Sequence, residues 1–157
     1  MSPVEALRGL LQHIERPASK LPWAKQRRWT VATHVWEESG LPVIDLHDLS
    51  VKLGLAVVEV IAEQGRGLPA GAVTLIPGRG KHTPGKSTLR DAVRHALMEL
   101  ARDEGYALFP RGPGRFVIIT DPDRAPASAT GRPGPLFWAV VALVVAGIIA
   151  TLWNAGG

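Results

Sequence analysis

One short run, Leu75 to Val93 (LIPGRGKHTPGKSTLRDAV), constrains the fold more than any other stretch of the chain. It leaves an apolar segment, Ala72-Val73-Thr74-Leu75-Ile76, crosses a loop rich in Gly and Pro, and enters an amphipathic helix at Ser87. Strand, glycine loop and helix in succession are the building unit of an α/β sheet, and they also make an anion cradle. Glycines let a ligand approach the backbone, and the free N–H groups of the helix's first turn point outward at the positive end of its dipole. The side chains agree. Between Pro77 and His95 stand Arg79, Lys81, Lys86, Arg90 and Arg94, with His82, against the single acid Asp91. A phosphate-bearing partner is the expectation, contacted by Gly78, Arg79, Gly80, Lys81, Gly85, Lys86, Ser87 and Arg90; a solvated basic turn is the plainer alternative.

Around this unit the rest of the chain reads as follows. Ser2, Pro3 and Glu5 form a helix-start signal, and Val4, Leu7, Leu10, Leu11 and Ile14 recur at helical spacing up to Arg16, with Pro17 as the stop. A second helix is expected over Ala24–Ser39, ending at Gly40, with Trp29 and Trp36 on one face and Lys25, Arg27 and Arg28 at its start. That aromatic pair either docks the helix onto a sheet or stacks on bases. Leu41 to Leu46 reads as the first strand, with Asp45 and His47 on one side of an alternating chain. Ser50 is the N-cap of a helix to Gln64, and a second helix follows the glycine loop from Thr88 to Glu104, closed by Gly105. Tyr106–Pro110 and Arg115–Thr120 are the last two strands. The pattern is βαβαββ, a two-layer mixed sheet of four strands. Its first three strands run parallel, because helical crossovers join them, and the last turns back.

Three short motifs in this frame carry a resemblance. Asp45-Leu46-His47-Asp48 ends the first strand, Gly78-Arg79-Gly80-Lys81-His82-Thr83 with Gly85 follows the second, and Gly112-Pro113-Gly114 precedes the last. In order and spacing they resemble the Smr (small MutS-related) domain family over about residues 41–120. Asp48 stands where family members commonly have Gly, and Pro77 where they often have Thr or His. The resemblance implies the fold of the C-terminal domain of translation initiation factor three. It also implies a nucleic-acid-binding domain of a kind that often cleaves DNA or RNA endonucleolytically, with Asp45, His47 and His82 as catalytic candidates. Phosphodiester cleavage needs a base at the nucleophile, an acid at the leaving oxygen and positive charge at phosphorus. His47 and His82 suit proton transfer, Asp45 suits orienting an imidazole or a metal ion, and Arg79, Lys81 and Lys86 suit charge neutralisation. Asp45 capping the next turn and His82 making a loop hydrogen bond are the structural alternatives. Asp45, His47 and Asp48 are candidate magnesium ligands, although no spacing demands a metal. His95 reads as a surface residue, and His13 and His34 show no constellation.

Two other functional classes stay open. Gly80 to Ser87 satisfies the GxxxxGK[ST] pattern of phosphate-loop NTPases, with Phe116 to Asp121 as the strand that would position magnesium, but the chain holds little material for a large parallel sheet. A non-catalytic module that holds nucleic acid or a ribosome-bound partner is the other.

Composition changes after Thr120. Residues 121–134 are rich in Pro, Ala, Gly and Ser without periodicity and read as a flexible linker. Pro135 to Trp153 then gives 19 residues with no charge, a helix roughly 28 Å long against a bilayer core of about 30 Å. Phe137, Trp138 and Trp153 match interfacial aromatic belts. Ala142, Ala146 and Ala150 make a small-residue ridge that permits pairing with a second copy. The expected organisation is a helical extension over 1–40, the Smr-like domain over 41–120, the linker, and a single transmembrane helix over 135–153. The net charge of +4 understates the asymmetry, since every Lys and Arg lies within the first 132 residues. Arg124 and Arg132 precede the span, so the basic domain is expected to face the cytoplasm. The absence of Cys excludes disulfides and thiolate metal sites.

Overall fold

The structure is a computed structural model that describes residues 2–78, 88–112 and 114–130. The chain runs α1 (Pro3–Ala18), α2 (Val31–His34), β1 (Val35–Glu38), β2 (Leu41–Asp45), α3 (Val51–Gln64), β3 (Ala72–Ile76), α4 (Thr88–Glu104), β4 (Ala107–Pro110), β5 (Phe116–Ile119) and α5 (Ala127–Thr130). Five strands form one sheet in the order β1-β2-β3-β5-β4. Strands β2 and β3 pair in parallel, and β5 pairs antiparallel with both β3 and β4. Thus β2, β3 and β4 share one direction and β5 turns back between β3 and β4. These are the directions that the helical crossovers and the last glycine turn dictate.

The fifth strand corrects the sequence reading. A helix was expected over Ala24–Ser39; instead residues 20–27 form turns, α2 has four residues, and the chain enters β1 at Val35. Thr30, Val31, Thr33 and Val35 are β-branched and weak helix formers. Ser39 and Gly40, both at positive φ, close a two-residue hairpin that sets Glu38 opposite Leu41. Side chains of α1 hold the segment in this course: Glu15 Oε1 accepts from the Val31 N–H at 2.6 Å, and Arg8 donates to the Val35 carbonyl at 2.7 Å. Trp29 and Trp36 consequently do not share a helix face. Trp29 is buried in the core, whereas Trp36 pairs with Val43 across the β1–β2 ladder.

The helix signals hold. Ser2 and Glu5 form the reciprocal capping box, and Ser50 caps α3 through the Leu53 N–H. Helix α1 runs two residues past Arg16, carrying Pro17 in its last turn. Val4, Leu7, Leu11 and Ile14 of α1 pack with Val57 and Ile61 of α3, Val93 and Leu97 of α4, and the inward row of the sheet: Val35, Ile44, Val73, Leu75, Phe116 and Ile118. The three long helices among the described residues all contribute to this one core.

The other sheet face is covered differently. Leu41, Ala72, Val117 and Ile119 form a small cluster there with Ala129, which is fully buried. Residues 121–130, expected as linker, are docked. Arg111 donates to the carbonyls of Ser128 and Ala129, Arg124 to those of Arg66 and Pro69, and the Ser128 hydroxyl to that of Ser39. No helix among the described residues is long and apolar enough to cross a membrane. The expected span, Pro135 to Trp153, with Ala142, Ala146 and Ala150, lies outside the described residues, as do 131–134 of the linker.

Candidate active site at the end of the parallel strands

Strands β2 and β3 run out at Asp45 and Ile76, which face each other in register. One further ladder bond, Leu46 N–H to the Ile76 carbonyl, carries the pairing past the end of β2, and the chain then turns at Leu46–Leu49. That turn places His47 and Asp48 above the sheet's carboxyl edge, where open α/β sheets gather ligands. Asp45 takes both roles foreseen for it. Its Oδ1 accepts the His47 backbone N–H at 3.1 Å, capping the turn, and the His47 Nδ1–H at 2.6 Å, fixing the ring. The same carboxylate that shapes the backbone therefore orients the imidazole.

The opposite ring nitrogen, Nε2, lies 3.1 Å from Asp48 Oδ2. Both His47 nitrogens face carboxylate oxygens; the Nδ1 contact is a hydrogen bond and the Nε2 contact a close approach. His47 is 43% exposed, whereas Asp45 and Asp48 are 17% and 11% exposed, so the ring is the part of the cluster presented to solvent. Gly78, at φ +82°, opens the glycine loop directly against it: a Cβ on Gly78 would lie 3.1 Å from His47 Cβ. The Asp-Leu-His-Asp motif and the first glycine of the loop are thus in contact.

His34 belongs to this cluster, contrary to the expectation from sequence. Its Nε2 lies 3.5 Å from Asp48 Oδ2, and its ring centroid is 5.9 Å from that of His47. His34 Nδ1 is held by the Thr30 backbone and the Thr33 hydroxyl, which turns Nε2 toward Asp48. Two tryptophans back the site, Trp29 from the core and Trp23 from the surface. Trp29 stacks on His34 and donates its indole N–H to the Asp45 carbonyl at 2.7 Å, and Trp23 donates to the Asp48 carbonyl at 2.9 Å. No spacing in the sequence announces His34, because the hairpin, and not a motif, brings it to β2.

The remaining candidates divide. Arg90 lies in the first turn of α4, its Nε buried and without a hydrogen-bond partner among the described residues. His82 and the loop contacts Arg79, Gly80, Lys81, Gly85, Lys86 and Ser87 lie outside the described residues. His95 is a surface residue, 77% exposed beside Glu99. Among the described residues no three His, Asp or Glu side chains are arranged to hold a metal ion. The NTPase reading is contradicted by topology. Strand β5 is antiparallel to β3, so Asp121 follows its far end and donates its N–H to the Gly71 carbonyl, at the start of β3. A carboxylate for phosphate-bound magnesium belongs at the opposite end, beside Gly78.

No protein-family model and no curated protein matches the chain in sequence. Two solved structures align with it. The SMR domain of NEDD4-binding protein 2 does so at 22% identity and a TM-score of 0.39, over 55% of this chain and 92% of that one. The B3BP Smr domain does so at 17% identity and a TM-score of 0.35, over 75% of this chain and 99% of that one.

Proposed function

We propose that this protein is a membrane-tethered, Smr-like nucleic-acid-binding domain that cleaves phosphodiester bonds in DNA or RNA. The observation that carries the reading is the close approach of Gly78 to His47, whose ring is held by Asp45, at the edge where the glycine loop begins. In this reading Asp45 holds the imidazole with its Nε2–H directed outward, and that proton passes to the leaving oxygen. The carboxylate of Asp48 occupies, in the free protein, a position from which a phosphate oxygen would accept from the same N–H. His82 receives the proton of the attacking oxygen, and Arg79, Lys81 and Lys86 offset the charge on phosphorus. Pro135 to Trp153 anchors the chain in a membrane as a single span, with the basic domain facing the cytoplasm, and the ridge of Ala142, Ala146 and Ala150 pairs two copies.

The test is incubation of the full chain with labelled single-stranded RNA and with supercoiled DNA, with and without magnesium. Cleavage of either supports the reading. Binding without cleavage would reduce the protein to a nucleic-acid-holding module, and absence of both would overturn the proposal. The anchor is tested separately, by recovery of the intact chain in salt-washed membranes; recovery in the supernatant would remove it.

A further inference from the structure

Strands β2, β3 and β4 point the same way, so the end of β4 lies at the same sheet edge as Asp45 and His47. Between that end and α4 is a cavity of about 480 Å³, lined by Arg90, Arg94, Met98, Leu108, Pro110 and Phe116. Its two halves differ in chemistry. Arg90 and Arg94 stand one helical turn apart on α4, and among the described residues neither forms an ion pair. The Nε of Arg90 is buried with no hydrogen-bond acceptor among the described residues. A buried donor left without a partner is costly, and one at the wall of a cavity is satisfied when an anion enters. The rest of the lining is apolar: Met98, one further turn along α4, is half exposed, at 50%, and Leu108 and Phe116, from the sheet, are core-edge side chains that give a flat ring flat surface to lie on.

Resting on the nucleic-acid reading above, we propose that this cavity is a second nucleotide subsite, taking one unit of the bound strand on the flank of the scissile phosphate. Its phosphate sits on Arg90 and Arg94, and its base lies against Met98, Leu108 and Phe116. From β2 to β4 there are three strand spacings, about 14 Å along the sheet edge, so a strand entering at His47 reaches the cavity within a few nucleotides. The apolar wall carries no side-chain donor or acceptor with which to read a base edge. The subsite therefore adds affinity without sequence preference, as stacking surfaces do.

The experiment measures binding of a labelled single-stranded RNA homopolymer to the full chain across a salt series. Arg94→Ala, at an exposed position, should weaken binding roughly fivefold to tenfold and lower the salt slope by about one ion. Arg90→Met, which keeps the side-chain stem, should do the same. A thiouridine-substituted strand should photocrosslink to Met98 or Leu108 in the wild type and lose that adduct in Arg94→Ala. If the wild type binds RNA but both variants keep its affinity and slope, and the adduct lies elsewhere, the subsite is overturned while the function stands. If the wild type binds no nucleic acid, both fall. If an acidic, leucine-containing peptide binds the wild type and not Arg94→Ala while RNA binding is unchanged, the cavity is a peptide site and the proposal is overturned.

Discussion

The two ends of the β2–β3 pair are built from the same strands and use their polar groups in opposite ways. At the far end, polar groups are spent on the fold. The Gly71 carbonyl accepts the N–H groups of both Thr120 and Asp121, and Arg124 is engaged by the carbonyls of Arg66 and Pro69. At the near end, Asp45, His47, Asp48 and His34 make a chain of polar side-chain contacts, within which the His47 ring faces solvent. The far-end groups are bound to backbone carbonyls, whereas the near-end groups hold one another around a ring that is 43% exposed. The difference teaches that substitutions at one end should change stability without chemistry, and at the other chemistry without stability.

The largest stability effect is expected at the closed end. A Cβ on Gly71, at φ +62°, would lie 2.6 Å from the Asp121 carbonyl and 2.9 Å from Arg124 Cβ, so backbone strain adds to a clash. Gly71→Ala should cost about 3 kcal/mol in chemical denaturation and leave the activity of the folded fraction unchanged. Trp29 tests the boundary between the ends, since it is core on one side and holds the Asp45 carbonyl on the other. Trp29→Phe leaves that carbonyl without its donor and should cost roughly 2 kcal/mol. Unlike Gly71→Ala, it should also lower cleavage in the folded protein, because the backbone beneath Asp45 loses its anchor. Ser50→Ala removes the α3 cap and should lower stability by about 1 kcal/mol, a melting shift of a few degrees, with no effect on activity. The smallest effect belongs to Glu38 and Arg115. Arg115 holds the Glu38 carboxyl below its ordinary value by hydrogen bonding, in an exposed pair. A depressed carboxylate contributes above its unfolded value and loses that contribution as pH falls through the folded one. Glu38→Gln should therefore show a slightly reduced melting temperature at neutral pH, a difference that vanishes as pH drops below the usual carboxylate range.

The sequence was most legible where local chemistry and tertiary structure agree. The alternation Val43-Ile44-Asp45-Leu46, the caps Ser2 and Ser50, and the strand–glycine–helix unit each specify their element, so strand directions and the meeting of His47 with Gly78 followed. The Trp29–His34–Trp36 stretch was not legible, because two tryptophans seven apart imitate a helix face. What decides its course is non-local: Glu15 and Arg8 on α1 and the Ser39-Gly40 turn. His34 was missed with it. The docking of residues 121–130 left no pattern either, since it depends on Arg111 and Arg124 reaching backbone carbonyls and on one small side chain, Ala129. A truncated chain should accordingly end at residue 130 and not within that segment.

The central claim is that the outward-facing end does the chemistry, and comparing cleavage, binding and melting in one set of variants tests it most directly. Asp45→Asn and His47→Ala should each lower the cleavage rate by roughly 10²–10⁴ while the dissociation constant for the strand changes little. The melting temperature of His47→Ala should match the wild type, because a ring 43% exposed contributes little to the core; Asp45→Asn, which keeps a side-chain oxygen for the turn, controls for the cap. Cleavage that survives both substitutions in folded protein would contradict the account.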